Sequence, residues 1–65
     1  MKMGKRNWLI NKRQEQELLQ RDVAEKTGIS VKHYSALETG ERRPSPQVAQ
    51  RIAEVLDFPW TKFYE

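Results

Sequence analysis

The sequence predicts an all-α domain of five short helices with a helix-turn-helix at its centre. Three observations carry the prediction. Apolar residues recur at helical spacing, most clearly at Val48, Ala49, Ile52, Ala53 and Leu56. Gly28, Gly40, Pro44 and Pro59 divide the chain into segments of helical length with very short connections. Sixty-five residues allow only one core, and a domain of that size buries only about 60% of the surface its unfolded chain exposes.

The elements follow in order. Residues 1–6 hold three bases, a glycine and no periodicity, and read as a flexible basic arm ahead of a domain over 7–65. Asn7 is suited to cap a first helix that runs from Trp8 to about Gln16. Leu9, Arg13 and Gln16 share one face of it, a thin stripe that leaves Trp8, Leu9 and Ile10 to anchor the helix. Leu18, Leu19, Val23 and Ala24 do not continue that stripe in register, so a break falls near Leu18. Leu19 offers no capping side chain to the second helix, Gln20 to Thr27, whose inward residues are Val23, Ala24 and Thr27.

Gly28 ends the second helix because it accepts a left-handed conformation, Ile29 plugs the turn, and the Ser30 hydroxyl caps the third helix. That helix, Val31 to Thr39, turns Tyr34, Leu37 and Glu38 to one face. On or beside its other face are Val31, Lys32, His33, Ser35, Ala36 and Thr39, a base, an imidazole, small residues and one Val instead of the Glu–Lys pairs of a solvated helix. Gly40 stops it. Ser45 caps, and Pro46 opens, a fourth helix to Leu56, and Pro59 opens a last short one. Phe58, Trp60, Phe63 and Tyr64 put four of the six aromatics there. Phe58 and Phe63 are assigned to the core, and Trp60 or Tyr64 to a candidate contact between two copies of the chain.

Composition excludes several functions. The first thirteen residues hold five Lys or Arg and no acid, and Arg42-Arg43 add a second basic point, so a polyanion is a natural partner. There is no cysteine, and His33 is the lone histidine, which leaves no zinc site and no Cys–His pair. No Gly-rich phosphate loop, catalytic constellation or cofactor motif occurs, and nothing suggests an enzyme or a small-molecule ligand. No apolar run approaches a membrane span or a signal peptide, which implies a cytoplasmic setting.

The run LLQRDVAEKTGISVKHYSALETGERRPS resembles the Xre/Cro-type bacterial and phage transcription regulators through Gln20, Val23-Ala24, Gly28-Ile29-Ser30, Leu37-Glu38, Gly40 and Arg42-Arg43-Pro44-Ser45. The likeness extends from about Trp8 to the end of the sequence. It implies the compact five-helix lambda-repressor-like fold and a sequence-specific regulator of double-stranded DNA, expected to be a repressor and a homodimer. By position, the resemblance implies base contacts from Val31, Lys32, His33, Ser35 and Ala36. It implies phosphate contacts from Gln20, Thr39, Arg42 and Arg43, and an internal ion pair between Arg13 and Glu38. Members of the family usually have Ser or Thr at the position of Leu19, Gly near Glu17 and an apolar residue at Thr27, so this sequence departs from them around its first turn. A competing expectation is a protein-interaction module on the same fold, an antitoxin or adaptor whose aromatic tail meets a partner protein.

Overall fold

A computed structural model describes residues 4–65; Met1, Lys2 and Met3, half of the expected arm, lie outside the described residues. Four α-helices follow one another: α1 (Asn7–Glu15), α2 (Gln20–Thr27), α3 (Val31–Thr39) and α4 (Pro46–Leu56). A 3-10 turn over Trp60–Tyr64 takes the place of the expected fifth α-helix. Five residues are too few for a stable run of α-helical bonds, and the tighter i→i+3 pattern closes them instead. There is no strand among the described residues.

The core is built from one face of each helix. Leu9, Val23, Tyr34, Leu37, Ile52 and Leu56 are fully buried and come from all four. Their removal from water is the main driving force, at roughly 1.5–3 kcal/mol for each large side chain, and it opposes chain entropy of similar size. α4 shows the cleanest division, with Ala49, Ile52, Ala53 and Leu56 inward. Trp8, half-buried, packs edge-on against Phe58 and Phe63 at centroid distances of 5.0 and 5.2 Å, which fastens the start of α1 to the last turn.

The start of α1 differs from expectation in two ways. Asn7 is the first helical residue and not the cap; Arg6 occupies the cap position, without a side-chain bond to the helix. Nor does Arg6 belong to a free arm. Its backbone N–H donates to Glu38 O at 2.8 Å, and its Nη1 donates to Leu37 O and to Arg42 O, the latter at 2.9 Å. A cation is thereby held against Leu37 O in the last turn of α3, where the helix dipole favours it, and against Arg42 O in the loop beyond.

The break between α1 and α2 falls where expected and has a defined geometry. Glu17 N–H donates to Gln14 O at 2.9 Å and Leu18 N–H to Arg13 O at 3.2 Å, the paired bonds of a Schellman exit. Glu17 takes the left-handed residue of that exit, at φ 59°. Leu19 is extended and has no side-chain acceptor, but the Asp22 carboxylate reaches back to its N–H at 2.8 Å. Half of a capping box therefore starts α2. Thr27 is buried in the place of an apolar residue and satisfies its hydroxyl by donating to Val23 O at 2.7 Å.

Candidate nucleic-acid interface

α2 and α3 are joined by Gly28, Ile29 and Ser30. Gly28 is left-handed at φ 77°, Ile29 packs on the core, and Ser30 Oγ accepts from His33 N–H at 3.0 Å. The turn is short because each of its residues has a fixed task, and α3 packs directly against α2. The buried side of α3 is Tyr34, Leu37 and Glu38. Its remaining residues face outward or stand at the margin.

α3 is held in place by its one buried charge. Arg13 Nε donates to Glu38 Oε2 at 2.7 Å and Arg13 Nη2 to Glu38 Oε1 at 3.3 Å, a two-point pairing. Gln20 Nε2 adds a bond to Glu38 Oε1 at 2.8 Å, and Arg13 Nη1 donates to Leu18 O at 2.9 Å. One carboxylate thus joins α1, α2 and α3. Burial alone would push the Glu38 carboxyl up, yet the donors around it, Arg13 foremost, hold it below its ordinary value. The same hydrogen bond holds the Arg13 guanidinium more firmly protonated. Tyr34 is buried beside the pair and its hydroxyl completes no hydrogen bond of good geometry. Burial first, and then the adjacent Glu38 carboxylate, as a neighbouring acceptor before its charge, push its phenol far above the usual range.

The outward side of α3 and the loop after it form an open concavity. Lys32, His33, Ser35, Ala36, Thr39 and Arg42 line it, with Ser30 and Glu41 at its edges. Six of the nine residues expected to meet DNA are thereby brought together. Val31 stands at the leading end of α3, 45% exposed and outside that concavity. Gln20 faces Glu38, as described, and so carries one amide N–H already engaged. The Thr39 hydroxyl donates back to Ala36 O at 3.1 Å. Arg43 parts from Arg42 and lines a different concavity, with Arg6 and Lys62. Trp60 and Tyr64 stack edge-on at 5.9 Å, Trp60 half-buried and Tyr64 exposed, and the Tyr64 hydroxyl donates to Pro44 O at 2.9 Å.

Two contributors escaped the sequence reading. Glu41 brings a negative charge to the edge of an otherwise basic concavity. Its position one residue past Gly40 was the available signal, since the exit of α3 folds the chain back beside the outward face. Asp22, three residues after Leu19, was recognisable as the far half of a capping box.

A short helix with a small, polar and basic outer face, joined by a tight turn to a second helix, defines a helix-turn-helix unit. A helix-turn-helix family model matches residues 9–63, and the chain belongs to the Xre-like helix-turn-helix family. It is 40% identical over 60 residues to YqaF of Bacillus subtilis (strain 168), described as an uncharacterized HTH-type transcriptional regulator. That alignment covers 92% of this chain and 79% of the relative. No solved structure matches the chain at a significant level. Among the described residues no helix is long and apolar enough to cross a membrane.

Proposed function

We propose that this chain, a DNA-binding transcriptional regulator of the helix-turn-helix family, acts in the cytoplasm as a homodimeric repressor. Two copies of α3 would enter successive major grooves at half-sites about 34 Å apart. The single observation that carries the reading is the concavity on α3, which gathers Lys32, His33, Ser35, Ala36, Thr39 and Arg42 opposite the buried face of the same helix. Lys32 suits guanine O6 and N7, while Val31 and Ala36 suit the methyl group of thymine, and His33 and Ser35 supply the remaining polar atoms. Arg42, Arg43, Thr39 and the amino end of α2 at Gln20 grip phosphates without reading sequence. Tyr64, 42% exposed, and Trp60 beside it are the surface on which two copies would meet. Occupancy of a promoter site by such a dimer is enough to obstruct transcription, and this requires no further surface.

Selection from random duplex DNA tests the reading in one step. The expected result is a symmetric pair of half-sites, with binding that weakens steeply as salt rises. Absence of DNA affinity at low salt would sink it, and a single unpaired half-site would remove the dimer.

A further inference from the structure

A second concavity opens where the loop after α3 meets the two ends of the described chain. Arg6, Arg43, Lys62 and Trp8 line it, and Glu65 is the acid present. Its cations are poorly neutralised. Lys62 Nζ is 4.0 Å from Glu65 Oε1, but the two side chains are 36% and 69% exposed, and such a pair is worth little in water. Arg43 is exposed and forms no ion pair among the described residues. Arg6 uses only Nη1 to hold Leu37 O in α3 and Arg42 O in the loop after it, and a guanidinium carries five N–H donors.

The cations are also positioned. The Arg6 guanidinium lies 5.6 Å over the Phe63 ring, and the Lys62 ammonium 5.2 Å over Trp8. Burial and the adjacent charge of Arg43 both hold Arg6 below its ordinary pKa. Arg6 and Lys62, held over aromatic rings beside an exposed Arg43 and facing so little counter-charge, make a site that an anion would stabilise.

We infer that this concavity seats a backbone phosphate of duplex DNA, flanking the base pairs read by α3. The inference rests on the DNA-binding reading above. DNA is favoured as the source of the anion because Arg42 and Arg43 are consecutive, one lining the groove of α3 and the other this concavity. A duplex carries one charge per about 1.7 Å of axis, so one seated on α3 presents phosphates to the loop beyond it. Lys62 thereby becomes a phosphate contact, and the start of α1 is drawn into the footprint through Arg6.

The test compares wild type with Lys62→Gln, Arg43→Gln, Lys62→Arg and, as the control on the groove of α3, Arg42→Gln, on a selected duplex and on an unrelated duplex of equal length, over a range of salt. Thermal unfolding verifies that each variant is folded. Lys62→Gln and Arg43→Gln should each weaken binding to both duplexes by the same factor and reduce the salt slope by about 0.9. Lys62→Arg should retain the wild-type slope. An unchanged slope in Lys62→Gln and Arg43→Gln, beside a reduced slope in Arg42→Gln, overturns the phosphate seat and leaves the DNA-binding reading standing. A wild type that binds neither duplex overturns both.

Discussion

The side-chain amide of Gln20 donates to Glu38 Oε1 at 2.8 Å, on the same carboxylate that Arg13 grips from α1. The orientation of α3 is therefore set by a charge buried behind it. Arg13→Met leaves that carboxylate without its charged partner, and loss of one member of a buried pair costs about 3–5 kcal/mol. A domain of this size has a total stability on the order of 3–10 kcal/mol. The variant should lose a large share of its stability and melt far below wild type by circular dichroism, whereas Gln20→Ala should melt only a few degrees lower.

Stability should form a plateau in pH with two distinct edges. Glu38 is held below its ordinary value of 4.5, so its contribution is complete above that pH and is lost as the pH falls through the depressed folded value. Tyr34 is shifted the other way, above its ordinary 10.0. Above that pH the unfolded chain releases the phenolic proton while the folded chain keeps it, so stability declines as pH rises. Urea unfolding at pH 3, 7 and 11 should give its highest midpoint at 7. A midpoint at pH 3 equal to that at 7 would remove Glu38 from the account.

Tyr34→Phe should stabilise the protein. The hydroxyl is buried without a good partner, and an unsatisfied buried group costs about 1–3 kcal/mol. A rise in melting temperature is the expected outcome. A fall would mean that the hydroxyl supports the Arg13–Glu38 pair after all.

Glu17→Gly should also stabilise it. A left-handed residue with a Cβ is disfavoured by roughly 1–2 kcal/mol, which glycine avoids at the cost of a more flexible unfolded chain. The net gain should be under about 1 kcal/mol, or several degrees in melting temperature. DNA affinity should not change, since Glu17 lies at the exit of α1.

Lys32→Ala and Arg42→Ala should separate reading from gripping. The first should relax preference at one base pair, by about 1–3 kcal/mol of discrimination. The second should weaken binding to all sequences alike and flatten the salt dependence. Equal effects of both on all sequences would mean that Lys32 touches only phosphate.

Much of this was legible in the sequence because local chemistry and tertiary packing agree there. Gly28, Ser30, Gly40 and Ser45 terminate or cap helices by their own conformational and hydrogen-bonding preferences, and the end of α2, both limits of α3 and the start of α4 follow directly. The parts that were misjudged depend on long-range contacts. Arg6 looked mobile because its partners, Leu37 O and Arg42 O, lie more than thirty residues away in the chain. The resemblance assigns Gln20 to phosphate, and its bond to Glu38 was not foreseen because that acceptor lies eighteen residues away on α3. Glu17 and Leu19 lack the usual stop and cap residues, and only the backbone bonds of the turn and Asp22 show how the chain manages without them.

The Trp8–Phe58–Phe63 cluster brings the two ends of the described chain to one edge. Connectivity there is interchangeable with packing. A short flexible linker from Glu65 back to Lys5, with new termini cut at the Glu17 turn, would preserve every helix and every buried contact between them. Such a circular permutant should fold to the same domain, and the linker would run beside the carboxyl end of α3.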